Sequence, residues 1–562
     1  MMLSIFNQSR KGNVNKLLRS ILIKLGFILT LSNFTTPKVL AAEEIILNYG
    51  PFQFSLSVKA LKVYAEEGKI TGDLKDYANF LTAEQLETLQ VGLTTKADIK
   101  PLSIAQFFYS FQGERILERV GQIIKTEGGQ PGFYAIRSAL ILAAAEEDGL
   151  TPINFLEAFP TSGIKVDSDR GFEIIEELSQ VIQTSERAIA AVQEEALIEA
   201  SQENQNSIPG INGNGGYAYQ IESFFLKDES RKRSFPVDLY LPQTSTNQLL
   251  PLIVISHGLG SDRSSMAYFA QYMASYGFAV AVPEHPGSNA SQIENLLEGF
   301  ANDVTPPEEF INRPLDITFL LNQLELKYGD QVDTNDVGII GQSFGGYTAL
   351  AVAGAELNFA ALNSACENLD SSFNVSLFLQ CVALKLPQET TETDLRDSRI
   401  TSAIAINPLT SAVFAQEGIS QIDIPVMIVS GSEDPVTPAL LEQIRPFSWL
   451  DTSQKYLVLL EGGTHFSVLN ESGGTIPVPK AALGPDPQIA QNYVKQLGLL
   501  FYSDRYTEKE SLFGCLCSTY AASISQSEMP LSLIESLGES AIEVISTKRK
   551  IEIENRGLSD KQ

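Results

Sequence analysis

Ser343 stands in Gly341-Gln342-Ser343-Phe344-Gly345, a Gly-x-Ser-x-Gly pattern. A serine hydroxyl is a weak nucleophile at neutral pH and needs a base to take its proton. The chain holds three histidines, His257, His285 and His465, and each follows a short apolar run. His465, in Glu461-Gly462-Gly463-Thr464-His465-Phe466, comes last, where such a base belongs. A carboxylate must orient that imidazole, and Gly431-Ser432-Glu433-Asp434-Pro435 supplies Asp434, with Glu433 as the alternative acid. Ser343, Asp434 and His465 thus occur in the order nucleophile, acid, base, and the chemistry they predict is acyl transfer. The charge that develops on the carbonyl oxygen needs two donors. The N–H of Phe344, directly after the nucleophile, is one candidate. The N–H of Leu259, in Ser256-His257-Gly258-Leu259-Gly260, is the other. His257 is expected to hold that loop in shape, and His257, His285 and Phe466 are expected to border the substrate pocket.

The surrounding elements suit this role. Val337–Ile340 reads as a buried strand and Tyr347–Ala353 as a helix, so Ser343 falls on a sharp strand-to-helix turn. From Tyr217 onward, apolar runs at Leu252–Ile255, Ala279–Val282, Ile404–Ile406, Val426–Val429 and Tyr456–Leu460 alternate with helical patterns. That alternation predicts an α/β architecture with a mostly parallel, doubly wound sheet, whose chemistry lies in loops at the carboxyl ends of the strands. An insertion over 355–399 mixes apolar and polar stretches and is expected to act as a lid. It contains Cys366 and Cys381, expected to be bridged. Cys515 and Cys517 are too close in sequence for an easy mutual bridge. No spacing suggests a metal site, and the chemistry needs no cofactor.

Ahead of this region, residues 43–184 read as a small, mainly helical domain. Thr82-Ala83-Glu84-Gln85 has the form of a capping box. Residues 185–216 read as the end of a long polar helix and a flexible linker, 217–505 as the catalytic domain, and 506–562 as a C-terminal extension. Residues 1–42 carry six cations, no acid and an apolar stretch at Leu25–Leu31. They predict an export signal cleaved near Ala41 or Ala42 and a periplasmic or extracellular protein, with a retained membrane anchor as the alternative. Removing those cations takes the formal charge from −28 to −34. Such acidity disfavours nucleic acid as a partner. The expected partner is a small-molecule or lipid ester, with a weak membrane association; the oligomeric state is left open.

Taken together, His257-Gly258-Leu259-Gly260-Ser261, Glu284-His285, Gly341-Gln342-Ser343-Phe344-Gly345-Gly346, Gly431-Ser432-Glu433-Asp434 and Thr464-His465-Phe466 resemble the α/β-hydrolase superfamily. Within it they resemble the branch of platelet-activating-factor acetylhydrolases and cutinase-like polyester hydrolases. The whole chain, with its Tyr49-Gly50-Pro51-Phe52 opening, is similar to exported bacterial α/β-hydrolases of unassigned substrate. The resemblance implies a cofactor-free serine hydrolase of carboxylic esters. A serine peptidase or a non-enzymatic binding protein on the same fold are the alternatives. Gln342 departs from the branch, since many lipases and the acetylhydrolases carry His there, so no substrate is carried over.

Overall fold

The structure is a computed structural model, and it describes residues 41–49, 52–203, 211, 213–245, 248–367, 369, 372–387, 394–470, 483–506 and 515–544. The expected export signal lies outside the described residues except for Ala41 and Ala42, as does much of the expected linker. The chain divides into two compact units. The described part of the first comprises residues 41–49, 52–99 and 121–168.

That first unit has a four-stranded sheet in the order β2-β1-β4-β3, made of β1 (Glu44–Tyr49), β2 (Phe52–Ser57), β3 (Ile124–Thr126) and β4 (Gly163–Asp167). β1 runs antiparallel to β2 and parallel to β4. Helices Val58–Glu67, Ala83–Thr94, Phe133–Ala144 and Pro152–Ala158 complete it. The capping box is formed: Thr82 Oγ1 accepts from the Gln85 N–H and Gln85 Oε1 from the Thr82 N–H. The unit is mainly helical, as expected, and β3 and β4 extend its sheet beyond what the sequence pattern indicates. β3 and β4 span three and five residues, too few for alternation to stand out in sequence.

The second unit comprises Lys100–Val120 and Asp169 onward, which differs from the boundaries read from sequence in three places. Lys100–Val120 belongs here: Ser103 Oγ donates to the Leu297 carbonyl at 3.1 Å. The helix Ser168–Gln202 also belongs here, because Ala188, Val192 and Ala196 enter the main core. The C-terminal extension supplies a strand of the sheet.

That sheet has nine strands, in the order β13-β12-β11-β10-β9-β7-β8-β6-β5. They are β5 (Tyr219–Asp228), β6 (Arg233–Pro242), β7 (Leu250–Ser256), β8 (Ala279–Pro283), β9 (Val332–Gln342), β10 (Ile400–Ile406), β11 (Val426–Gly431), β12 (Lys455–Leu460) and β13 (Leu531–Ile534). β8, β7, β9, β10, β11 and β12 are parallel. β5, β6 and β13 are antiparallel to their neighbours. Side chains alternate between two cores: Leu252 and Val254 enter one, Ile253 and Ile255 the other, and Leu457/Leu459 and Val458/Leu460 divide in the same way. Helices cover both faces, so the strands are apolar throughout rather than alternating with polar residues.

The insertion is tied down. Cys366 and Cys381 are bridged, 5.8 Å apart at Cα. Glu442, wholly buried, accepts hydrogen bonds from Asn374, Ser376 and Gln380 of the insertion and from Thr410 and Ser411 of the loop after β10. Cys515 is also paired with Cys517, against the expectation from their spacing. Their Cα atoms lie 5.3 Å apart, within the range a disulfide spans.

Two changes probe the tie. Replacing Cys366 and Cys381 by Ser should lower the unfolding free energy by about 3 kcal/mol, read by urea titration under oxidising conditions. Glu442→Ala should cost about 3 kcal/mol or more, because it strands several buried donors; a loss under 1 kcal/mol would refute the role given to Glu442.

Candidate active site

Ser343 sits between β9 and the helix Phe344–Val352 with φ 56° and ψ −117°. A non-glycine residue in this region stores strain and persists only where its surroundings over-determine it. Here the Ser343 N–H donates to the Ile406 carbonyl of β10 at 2.8 Å. The flanking glycines are required by close approach. A Cβ on Gly341 would lie 2.0 Å from the Gly345 carbonyl oxygen, and one on Gly345 would lie 1.9 Å from that of Ser256. The elbow is therefore pressed directly onto the end of β7.

His465, in the loop after β12, places Nε2 2.9 Å from Ser343 Oγ and Nδ1 2.7 Å from Asp434 Oδ2. Asp434, after β11, is held by three donors. Its Oδ1 accepts from the N–H groups of Val436 and Thr437, at 2.7 and 2.8 Å, and its Oδ2 accepts from Thr437 Oγ1. Glu433 points to solvent. The structure thus brings together Ser343, His465 and Asp434 and leaves the alternative acid out. Phe466, half-buried, sets its ring edge-on to His465, with centroids 5.3 Å apart.

Two residues that sequence reasoning did not select hold these loops in register. Gln342 Nε2 donates to the His465 carbonyl at 3.0 Å, linking the base to the strand of the nucleophile. Asn407 (φ 44°) accepts from the Gly431 N–H through Oδ1 and donates through Nδ2 to the Thr464 carbonyl. It joins the loops that carry acid and base. The one signal available was the Asn407-Pro408 dipeptide after a buried strand, a turn former.

Phe344 is the first residue of its helix, where an N–H has no intrahelical acceptor. The Leu259 N–H makes no hydrogen bond to the described backbone. Both stand free for an oxyanion. Oxyanion loop and elbow touch, since a Cβ on Gly258 would meet Gln342 Oε1 at 2.4 Å.

The pocket role expected for His257 and His285 must be corrected. Both are wholly buried beneath this loop and offer no surface to a substrate. His285 Nδ1 lies 3.0 Å from Asp316 Oδ2, and its Nε2 lies 3.0 Å from Ser256 Oγ. Burial, reinforced by Arg313, Arg233 and Arg231, pushes His285 well below the usual histidine range. Burial, Arg313 and His285 do the same to His257. Asp316 does not reverse this, because Arg231 and Arg233 already grip its carboxylate. Burial and the neighbouring cations thus favour the neutral form of both imidazoles.

A pH dependence follows. A histidine held below its unfolded value of about 6.5 contributes stability above that pH, and the contribution is lost as pH falls. The stability advantage of the wild type over His257→Asn should shrink below pH ~6.5, by up to about 1.4 kcal/mol per pH unit. Urea titrations between pH 5 and 8 measure it; a constant difference would show that His257 is not held neutral.

A family profile described as "Alpha/beta hydrolase of unknown function" matches residues 41–167, which take in the described part of the first compact unit up to Asp167 and also Lys100–Val120 of the second. A second, "Platelet-activating factor acetylhydrolase, isoform II", matches residues 235–312. That stretch holds Leu259, His257 and His285 but not Ser343, Asp434 or His465. The platelet-activating factor acetylhydrolase of the dog, Canis lupus familiaris, is 29% identical over 151 residues, covering 20% of this chain and 34% of that protein. The chain thus matches about a third of the length of this curated relative. With the nine-stranded, mostly parallel sheet, these matches support an α/β-hydrolase fold that resembles the branch of the platelet-activating-factor acetylhydrolases.

Proposed function

We propose that the protein is a serine hydrolase of carboxylic esters. The observation that carries this reading is the unbroken line Ser343 Oγ, His465, Asp434, at 2.9 and 2.7 Å, beside two free main-chain N–H groups. In the proposed reaction His465 Nε2 takes the Ser343 proton as Oγ attacks the ester carbonyl. Asp434 keeps Nδ1 protonated and stabilises the imidazolium. The Leu259 and Phe344 N–H groups bind the oxyanion. The alcohol leaves with the proton from His465, and water then releases the acid by the same route.

The substrate is proposed to be a neutral or zwitterionic ester of short to medium acyl length. Two features support this: the acidic surface, which repels anions at long range, and the apolar residues of the insertion after the elbow helix. The relative's printed name, an acetylhydrolase, fits a short acyl group. The oxyanion loop lies in the stretch that matches the acetylhydrolase profile. We also propose that residues 1–42 direct export of the protein.

Ser343→Ala, Asp434→Asn and His465→Ala should each fold and lose nitrophenyl-ester hydrolysis by about 10⁴-fold or more, since the three residues act as a unit. A fluorophosphonate should phosphonylate Ser343 Oγ with loss of fluoride, as the intact protein's mass will report. An unmodified, inactive wild type would leave the fold as a binding protein. Specificity constants across acyl chain length test the substrate class; a preference for long anionic acyl esters would reject it.

A further inference from the structure

We propose that His257 orients the Leu259 N–H by holding the opposite end of the same peptide group, and that Asp316, His285 and Arg313 exist to hold His257. The inference rests on the ester-hydrolase reading, which gives Leu259 its task.

The chain of contacts begins away from the nucleophile. Asp316, in the helix Glu309–Tyr328, is gripped by Arg233 Nε and Nη2 at 2.8–3.0 Å and by Arg231 Nη2 at 2.9 Å. Its Oδ2 accepts the Nδ1–H of His285, and His285 Nε2 accepts the hydroxyl of Ser256, the last residue of β7. These are the residue types and spacings of the catalytic line itself. Here all three are wholly buried, so Ser256 has no substrate to attack and the arrangement can only position.

What it positions follows from the next bonds. The main-chain N–H of His285 donates to Nε2 of His257 at 2.9 Å. A peptide N–H can only donate, so His257 Nε2 carries no proton and Nδ1 does. The Nδ1–H then donates to the Gly258 carbonyl at 2.8 Å. That carbonyl and the Leu259 N–H belong to one planar trans peptide group, in which C=O and N–H point in opposite directions. Holding the carbonyl inward turns the N–H outward. Arg313 secures the preceding peptide group by donating Nη2 to the His257 carbonyl. Its guanidinium also lies 4.5 Å from the ring centroid of Phe344, the residue that carries the other free N–H. One buried cation therefore touches both halves of the oxyanion site.

His257 is in these terms a positioning residue. Its effect should appear in turnover, because an oxyanion donor acts on the transition state more than on the ground state. Asn and Gln separate the two ring nitrogens. Asn places its amide near Nδ1 and can still donate to the Gly258 carbonyl. Gln reaches toward Nε2 and loses that donor. His257→Gln should lower kcat for nitrophenyl butyrate by about 10²-fold with KM changed less than about threefold, the size expected when one oxyanion donor is lost. His257→Asn should recover most of kcat. Fluorophosphonate titration gives the concentration of competent sites, so kcat refers to folded protein. Should His257→Gln not fold, Ser256→Ala, which removes one bond to His285, should show the same kcat-only loss at about three- to tenfold. Unchanged kcat in the folded variants, or equal loss in Asn and Gln, would overturn the inference while leaving the parent reading intact. A wild type inert to both ester and fluorophosphonate would overturn the parent reading and this inference with it.

Discussion

The backbone of Ser343 is the constraint on which the rest depends. A serine at φ 56°, ψ −117° costs energy wherever it occurs, on the order of 1–3 kcal/mol. The chain keeps it there by leaving no other path. Gly341 and Gly345 let the strand end, the helix start and the tip of β7 approach to distances no side chain permits. Behind them the first helical turn is packed by rings: Phe344 against Phe310, and Tyr347 stacked on Phe414 at 5.0 Å. Tyr347 also donates to the Phe310 carbonyl. The result of this strain is a hydroxyl presented at the helix N-terminus, where a dipole and free N–H groups would meet the negative charge of the proposed reaction.

Around that fixed point the loops are held by polar contacts rather than apolar ones. Asn407 and Gln342 bind main-chain groups of the acid and base loops. Glu442 binds the insertion to the loop after β10. Buried polar groups of this kind are costly when unpaired, so each network has one satisfied arrangement and a slipped loop is penalised at once. Apolar packing tolerates small shifts better. The proposed reaction, which needs acid, base and oxyanion donors within a few tenths of an ångström, is better served by such contacts.

The insertion takes on a different character in this light. Its composition suggested a lid. The disulfide between Cys366 and Cys381 and the bonds to Glu442 fasten its described residues to the body of the second unit. Lys100–Val120 reaches it as well, since Arg119 donates to the Ser372 carbonyl and lies over the Phe373 ring. The proposed preference in acyl length rests on a pocket bordered by this fastened segment.

Much of the site was legible in sequence. Ser343 announces itself by its glycines and flanks, and the order Ser343, Asp434, His465 follows the strands that carry them. The parallel sheet could be read from apolar runs, because strands covered on both faces need apolar residues at every position. A loop-holding role for His257 was legible, but the sequence could not separate a pocket position from a packing one for His257 and His285. A histidine after a strand looks the same whether it faces substrate or lies under a loop, and only the packing of the helix carrying Asp316 and Arg313 decides. Nor could it single out Glu442, Gln342 or Asn407, which act on main-chain atoms contributed by distant strands. β13 and, in the first unit, β3 and β4 were equally hidden, since strands of three to five residues acquire their identity from partners remote in sequence. Residue type and order determined the chemistry; tertiary structure decided which polar residues meet it and which hold it in place.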